Sequence, residues 1–456
     1  MNKNRLLGII IVLLLVVGTF CIYKLCSVNR DNDDDDVSNF FEGLVVSVDS
    51  SNIVLMSNDD IFYMIDRDMV DGNLGDNVIV EYMGILDDDF SSVEIVDYSL
   101  LNSVDVSDIS SVFDDNGIFS DYYVMAYNKL KELSLDEKIG QMILARYDKD
   151  RVINDIDKYS LGGLVFFEND FKNKNKSQVM KMINDVQNKA KIPLITAVDE
   201  EGGKIVRISS NPMLSEERFK SSRELYKLGG MDLIYDDTVN KSMLLSELGI
   251  NVNLAPVVDV SMDSNDYMYE RSLGENTETT SLYARTVIDA SKGLGVSYTL
   301  KHFPGYGNNI DTHTNVAIDN RSYESILEND IPPFEAGIDE GAEAVLVSHN
   351  VVSSIDGDNP ASLSKRVHNL LRDDLGFSGV IITDDLSMGA ISSVEDVSVK
   401  AVLAGNNMLI TTNYIDSFNS IKDAVKSDII SEEMIDRLVF KVLSWKYYKG
   451  LMIDVK

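Results

Sequence analysis

Cysteine is almost absent from this chain, with Cys21 and Cys26 as the only two among 456 residues. Both lie in or just after an apolar run near the N-terminus, so the sequence holds no disulfide framework. Histidine is also scarce. His349 and His368 lack the spacing of metal ligands, and no cluster of cysteines accompanies them, so the sequence predicts no metal site.

Basic residues are in deficit, because 41 Lys and Arg face 75 Asp and Glu, which gives a formal net charge of −34. Between Asp31 and Asn128 the only basic residue is Arg67. Proteins that bind nucleic acid need a basic surface to neutralise phosphates. The composition therefore excludes nucleic acid as an expected partner.

The N-terminus predicts a membrane anchor over residues 1–30. Lys3 and Arg5 precede the uncharged stretch from Leu6 to Tyr23, which is just long enough to span a bilayer and longer than most signal-peptide cores. By the positive-inside rule the remaining chain is then extracytoplasmic, as in a single-pass protein of the cell membrane. The alternative is a cleaved secretory signal, which releases the protein.

Residues 31–121 predict a small acidic β-barrel-like domain followed by a linker. After the run of acids at 31–36, short apolar stretches are separated by turn residues, and residues 103–121 are rich in Ser and Asp. The expected strands are Gly43–Val48, Asn52–Met56, Ile61–Ile65, Asn77–Tyr82 and Val93–Val96.

Residues 122–456 predict a (β/α)₈ TIM barrel, since short apolar strands alternate there with helical stretches. The expected strands are Gln141–Ala145, Gly163–Phe167, Leu194–Val198, Val252–Ala255, Ser297–Leu300, Ala344–Ser348, Val380–Thr383 and Asn407–Thr411. Ser134 and Glu137 form a capping-box pattern before one helix, and Ser215 is expected to cap another. A doubly wound open sheet is the alternative, but no GxGxxG motif follows the first strand to support it.

All four histidines fall between residues 302 and 368, and the first two share one Gly-rich segment after a predicted strand. Catalytic groups of a TIM barrel lie at such strand ends. The spacing of Asp311 and His313 predicts an acid–base histidine held by a carboxylate. Asp, Arg, Lys and His side chains follow several of the predicted strands, and together they can hydrogen-bond the hydroxyls of a sugar. Asp384, directly after the seventh strand, is suited to attack the anomeric carbon of such a substrate. His368 lies in a helical surface pattern and is expected to be inert.

Five motifs occur in order along the barrel region, and together they resemble glycoside hydrolase family 3, in its single-domain β-N-acetylglucosaminidase branch. The motifs are VDEEGGKIVR from Val198, NLAPVVDV from Asn253, KHFPG from Lys301, Asp311-Thr312-His313, and TDDLSM from Thr383. The resemblance implies a barrel fold and a retaining double-displacement mechanism without a metal or organic cofactor. It covers residues from about 130 to 412.

The resemblance also implies roles for individual residues. Asp384 corresponds to the nucleophile, and Asp311 and His313 correspond to the catalytic pair of this branch. The residues that correspond to glycone-binding positions are Asp199, Arg207, Arg271, Lys301 and His302. His349 follows the sixth strand, where it either lines the pocket or makes a structural hydrogen bond. Arg271 has the alternative of pairing with Glu270 or Asp266.

The sequence departs from the family pattern at Tyr306, where histidine is common, at Asn308 and Asn309, and at Glu200, where glutamine is common. The loop from Gly307 to Asp311 also looks one residue shorter than usual. The changes from Tyr306 to Asp311 lie in the loop near His313, so an effect on loop closure or rate is expected.

The expected activity is that of an exo-β-N-acetylglucosaminidase, which removes terminal GlcNAc from peptidoglycan fragments or related glycans. One alternative within the family is a β-glucosidase or a phosphorylase. A phosphorylase is conceivable because a histidine repels incoming phosphate less than a carboxylate does. The alternative from another class is a non-catalytic cell-wall sugar-binding protein.

Overall fold

The computed structural model describes residues 39–48, 52–57, 62–67, 69–70, 77–83, 86, 93–102, 117–307, 317–391 and 394–452. No helix in these ranges is long and apolar enough to cross a membrane. The predicted anchor at residues 1–30 lies outside them. The chain divides into two compact units, residues 1–105 and 106–456.

The first unit is a five-stranded antiparallel sheet. Its strands are β1 (Asn39–Val48), β2 (Asn52–Ser57), β3 (Phe62–Asp66), β4 (Asn77–Met83) and β5 (Glu94–Asn102). They lie in the order β3-β2-β1-β4-β5. Alternate residues of a strand share one face, which places Val45, Ile53, Leu55, Ile65 and Val80 in a common core. The five predicted strands are present, and among the described residues no ladder joins β3 to β5 to close a barrel.

The second unit contains the predicted eight-stranded parallel sheet. The strands, in chain order, are β6 (Ile143–Arg146), β7 (Gly163–Phe166), β8 (Ile195–Val198), β9 (Val252–Asn253), β10 (Ser297–Phe303), β11 (Ile318–Asp319), β12 (Ala344–Val347), β13 (Val351–Val352), β14 (Val380–Thr383) and β15 (Leu409–Thr411). Eight of these strands form the sheet, in the order β14-β12-β10-β9-β8-β7-β6-β15. The other two, β11 and β13, pair with each other outside it.

The two ends of this sheet meet, so the open-sheet alternative is wrong. A parallel bridge joins Ile382 to Met408, and the amide of Thr383 donates to the carbonyl of Met408 at 3.0 Å. Strands such as β7, β8 and β12 are buried along their whole length, as expected when both faces of a parallel sheet are covered. The structure thus agrees with a (β/α)₈ barrel, closed at this junction by a short contact.

Helices follow the strands and cover the outside of the barrel. They are α1 (Tyr123–Glu132), α2 (Leu135–Gln141), α3 (Val152–Asp155), α4 (Glu168–Phe171), α5 (Lys176–Gln187), α6 (Ser222–Glu247), α7 (Thr277–Ser291), α8 (Tyr323–Asn329), α9 (Ile331–Asp339), α10 (Lys365–Asn369), α11 (Val397–Ala404), α12 (Tyr414–Lys426) and α13 (Glu432–Tyr448). A π-helical turn, Leu370–Asp374, continues α10.

One of the two cap predictions is confirmed. Ser134 and Glu137 form a reciprocal capping box at the start of α2. The prediction for Ser215 is wrong, because α6 begins at Ser222 with Ser221 as its cap. The Ser215 hydroxyl instead donates to the carbonyl of Glu217 at 2.6 Å, which forms a turn in the loop before the helix.

Candidate active site

Three consecutive acids follow β8, and the middle one organises the loop behind the other two. The carboxylate of Glu200 is fully buried and accepts hydrogen bonds from the amides of Arg207 and Ile208, both at 2.7 Å, and from the amide of Ser209 at 3.1 Å. The Asn253 side chain accepts from the Glu200 amide at 2.9 Å. Glu200 therefore fixes the position from which Arg207 reaches the pocket.

Asp199 and Glu201 both bind Lys301, which is buried at the end of β10. The Lys301 ammonium lies 2.9 Å from Asp199 Oδ1 and 2.7 Å from Glu201 Oε1. Arg207 also pairs with Asp199, at 3.2 Å. Burial alone raises the pKa of Asp199, but the charges of Lys301, Arg207 and Arg271 hold this pKa well below its usual range. Asp199 is therefore an anion that a sugar hydroxyl can donate to.

Arg271 comes from the long loop after β9 and donates two hydrogen bonds to Glu201. Its Nη2 lies 2.6 Å from Oε1 and its Nε lies 3.0 Å from Oε2, the bidentate geometry that arginine forms with a carboxylate. Burial opposes ionisation of Glu201, yet Arg271 and Lys301 lower its pKa to about 2. Arg271 thus pairs with Glu201, and not with Glu270 or Asp266.

His302 lies next to this network and is held by a second acid. Its Nδ1 lies 2.7 Å from Asp259 Oδ2, and its Nε2 lies 3.3 Å from Arg271 Nη2. Since the guanidinium can only donate, this arrangement assigns the Nδ1–H tautomer, with Nε2 accepting. The other oxygen of Asp259 accepts from the Tyr306 amide at 2.7 Å. Tyr306 is itself buried with its ring centre 5.6 Å from that of His302.

Asp384 begins the loop after β14 and is half-buried. Its amide donates to the carbonyl of Val347 at 3.0 Å, and its Oδ1 accepts from the amide of Asp385 at 2.8 Å. Its Oδ2 accepts no hydrogen bond from any residue that the structure describes, so this oxygen is available for substrate. Asp385 instead caps the turn by accepting from the Ser387 amide at 2.8 Å.

His349 supports this loop from behind. The ring is fully buried, with Nδ1 2.7 Å from the hydroxyl of Ser362 and Nε2 3.0 Å from the carbonyl of Asp385. Because a carbonyl only accepts, Nε2 carries the proton and Nδ1 accepts from Ser362. Both nitrogens are occupied, which favours the structural role over the pocket-lining role for His349.

The predicted catalytic pair, Asp311 and His313, falls in residues 308–316, outside the described residues. The segment before it ends with Gly305 and Gly307, which have φ angles of 118° and 61°. A Cβ at Gly305 would lie 2.5 Å from Asp330 Oδ1, and one at Gly307 would lie 2.7 Å from Arg321 Nη2. Both positions favour glycine, because each has a positive φ and a neighbouring side chain that would have to move for a larger residue.

Arg321 binds two buried acids beside those glycines, and the sequence analysis did not find this cluster. Its guanidinium reaches Asp319 and Asp330, each at 2.7 Å. Burial raises the pKa of Asp330 to about 6, although Arg321 opposes the shift. Next to this cluster the carbonyl of Ala317 accepts from the amide of Val351 at 2.8 Å, which ties residues 317–319 to β13.

The structure therefore brings together five of the six predicted substrate-binding residues and leaves His349 behind the pocket. These five residues are Asp199, Arg207, Arg271, Lys301 and His302. Glu201 and Asp259 belong to the same network. Their positions inside the VDEEGG and APVVD motifs could have identified them as site residues from the sequence. Within the described ranges no group of three or more acids, histidines or cysteines is placed to hold a metal ion.

The arrangement can bind hydroxyl and amide groups through alternating charges while presenting one open carboxylate. Such features suit a sugar ring, and the comparisons with known proteins agree. The model of the glycosyl hydrolase family 3 N-terminal domain matches residues 134–445. A β-hexosaminidase of Glaesserella parasuis is 29% identical over 293 residues, which are 62% of this chain and 84% of that protein.

Solved structures give the same result. A family 3 β-N-acetylglucosaminidase from Paenibacillus is 28% identical, with a TM-score of 0.67 over 71% of this chain and 64% of the other. A β-N-acetylhexosaminidase from Beutenbergia cavernae is 26% identical, with a TM-score of 0.62 over 70% of this chain and 99% of the other. The chain thus belongs to glycosyl hydrolase family 3, and its barrel is a glycoside hydrolase domain.

Proposed function

We propose that this protein is a retaining exo-β-N-acetylglucosaminidase that releases terminal β-linked GlcNAc from peptidoglycan fragments or related glycans. The observation that carries the proposal is the open Oδ2 of Asp384 at the rim that also holds the network of Asp199, Lys301 and Glu201. Relatives that are named β-hexosaminidase or β-N-acetylglucosaminidase support the choice of sugar.

In the first step Asp384 Oδ2 forms a bond to C1 of the sugar while the bond from C1 to the leaving oxygen breaks. His313 gives its proton to that oxygen. In the second step a water molecule attacks C1 and loses a proton to His313, and the bond between Asp384 and C1 breaks. Asp311, two residues before His313, orients the ring and stabilises its protonated form.

The fixed charges support binding of the glycone. Lys301 and Arg207 donate to hydroxyl groups, and Asp199 accepts from them, while the Arg271–Glu201 pair keeps these side chains in place. Because each of these three cations contacts at least one of the two ionised acids, Asp199 and Glu201, no proton has to move when a neutral sugar enters. Binding of the glycone therefore involves no proton transfer, and His313 alone carries out the acid–base step.

The test uses the full chain with 4-nitrophenyl β-GlcNAc and 4-nitrophenyl β-glucoside. We expect turnover of the GlcNAc substrate alone, with kcat reduced at least about a thousandfold in Asp384→Asn and in His313→Ala, since both remove a reacting group. NMR of the fresh product should show the β anomer. Asp385→Asn is the matched control, and it should retain most of the activity. GlcNAc binding without turnover would instead favour the sugar-binding alternative.

We also propose that residues 1–30 anchor the protein in the cell membrane with the barrel outside. The support is the sequence, in which Lys3 and Arg5 precede the uncharged Leu6–Tyr23. Membrane fractionation and protease treatment of intact cells test the proposal. Recovery of the protein in the membrane pellet, with the barrel digested from outside, is expected. Release of a shortened chain into the medium would show that the segment is a cleaved signal.

A further inference from the structure

An exposed arginine lies at the catalytic end of the barrel on the side opposite β10. Arg146 is the last residue of β6, and its guanidinium carbon lies 4.5 Å from the ring centre of Phe167, which follows β7. The guanidinium of Arg207 lies 5.4 Å from the same ring centre. The two guanidinium carbons are thus within about 10 Å of each other.

Arg146 differs in its charge balance from Arg207, Arg271 and Arg321, three arginines that contact acids. Arg207 pairs with Asp199, Arg271 pairs with Glu201, and Arg321 pairs with two acids. In the described part of the chain, Arg146 has no carboxylate oxygen within 4.0 Å. The nearby acid Asp170 interacts with Arg146 only at longer range, and its Oδ2 accepts from the Phe167 amide at 2.7 Å.

The strand order places this arginine next to the glycone network. β6 and β7 lie between β15 and β8 in the sheet, so Arg146 and Phe167 occupy the arc of the rim between Asp384 and Asp199. Phe167 supports the guanidinium from one face by a cation–π contact, which leaves its N–H edges free to donate. In a chain with a net charge of −34, a cation at this position with no carboxylate of the described residues in direct contact is a candidate for recognising an anion.

We infer that Arg146, supported by Phe167, is a specificity-determining residue that pairs with a carboxylate on the aglycone. The inference rests on the proposed function, and it names the class of leaving group that the site prefers. A planar carboxylate can accept two parallel hydrogen bonds from the guanidinium edge. A neutral aglycone gains nothing from this contact.

The test compares two disaccharides that differ only in a lactyl ether, GlcNAc-β-1,4-MurNAc, which carries the carboxylate, and chitobiose, which lacks it. In Arg146→Gln we expect kcat/KM for the carboxylate substrate to fall about tenfold, the size of a partly exposed charge-assisted contact, with less than a twofold change for chitobiose. Arg146→Lys should restore part of the preference. Lys149→Gln removes the same charge from an exposed position three residues on and should leave the ratio unchanged.

Equal effects of Arg146→Gln on both disaccharides, or no effect on either, would overturn the inference. Turnover of chitobiose by the unmodified protein reports on the proposed function alone, so the two failures are distinguishable. The same ratio can be measured as dissociation constants on Asp384→Asn, with and without Arg146→Gln. Because this comparison needs no turnover, an inactive enzyme still gives an answer. A preference that weakens as salt is raised would agree with a charge pair.

Discussion

Asp259 holds His302 through a hydrogen bond of 2.7 Å that is buried from solvent. The carboxylate accepts from Nδ1, which leaves Nε2 as the acceptor of a hydrogen bond from Arg271. One acid in the loop after β9 therefore determines how a histidine on β10 and an arginine further along that loop meet. His302 is therefore a fixed part of this buried network.

Replacing Asp259 by asparagine should disturb this arrangement without changing its shape. An amide can turn its NH₂ group toward Nδ1, which favours the opposite tautomer and places a donor on Nε2 against Arg271. We expect kcat/KM on 4-nitrophenyl β-GlcNAc to fall about tenfold to a hundredfold, as for loss of a charge-assisted hydrogen bond. Asp232→Asn, on an exposed position of α6, makes the same change of charge and should have wild-type kinetics. Wild-type kinetics in Asp259→Asn would contradict the assigned tautomer.

Glu201 should be important for stability as well as for binding. In Glu201→Gln the buried Arg271 loses its ionised partner and Lys301 keeps only Asp199, so the free energy of unfolding should fall by about 3 kcal/mol at pH 7. Because the folded pKa of Glu201 is lowered to about 2, its contribution is complete above the ordinary value of 4.5 and is lost as the pH falls toward 2.

Urea unfolding of both proteins at pH 7 and at pH 3 measures this effect. The difference between wild type and Glu201→Gln should be larger at pH 7. Glu328→Gln, an exposed change on α8, serves as the control and should differ from wild type by less than about 0.5 kcal/mol at either pH. A difference that grows on acidification would be incompatible with the lowered pKa.

The eight barrel strands were predictable because each is buried along a short apolar run, and periodicity detects such runs. Their ends were less predictable. β10 continues through Lys301 and His302 to Phe303, although the prediction ended it at Leu300. Polar residues stay in this strand because acids after β8 and β9 bind them, and these acids lie 102 and 43 positions earlier. Local sequence does not contain that information.

The site shows the same division between local and distant information. Residues inside the recognised motifs were identified, but the pairing of Arg271 with Glu201 joins positions 70 apart and was not predicted. His368 was expected on a helix surface, and that prediction is wrong. The residue is buried, and its Nδ1 donates to the carbonyl of Ser364 at 2.8 Å. The charged residues Lys365 and Arg366 shortly before it suggested a solvent-exposed helix face. In the folded helix, Val367 and His368 lie on the buried face.

Lys446 on α13 predicts an unusual dependence of stability on pH. The side chain is fully buried and hydrogen-bonds to the side-chain oxygen of Gln141 at 2.5 Å, with no acid paired to it in the described ranges. Burial lowers its pKa to about 7 from 10.5. The unfolded chain therefore binds more protons between these values, so this residue opposes folding most at pH 7 and below, and the penalty vanishes as the pH approaches 10.5.

Lys446→Met should thus stabilise the protein by about 3 kcal/mol at pH 7 and by much less at pH 9.5. Calorimetric melting temperatures at the two pH values give the comparison. Lys189→Met, an exposed change on the segment after α5, is the control and should show no such trend. If Lys446→Met were destabilising at pH 7, the hydrogen bond to Gln141 would outweigh the cost of burying the amine.

Gly305 connects the end of β10 to the Arg321 cluster, and its replacement by alanine should be costly for two separable reasons. Its φ of 118° disfavours any other residue, and a Cβ would lie 2.5 Å from Asp330 Oδ1. Gly405 provides the matched control, because its φ is also large and positive, 114°, while the nearest atoms to an added carbon, those of His368, lie 3.6 Å or more away. Gly405→Ala should cost about 1–2 kcal/mol from backbone strain alone.

Gly305→Ala should cost about 1–3 kcal/mol more, since the clash displaces Asp330 from Arg321. The same displacement moves the segment that leads to His313, so kcat should fall in Gly305→Ala and stay unchanged in Gly405→Ala. Urea unfolding and steady-state kinetics on both variants separate the two contributions, and equal costs would show that Asp330 can move aside without loss.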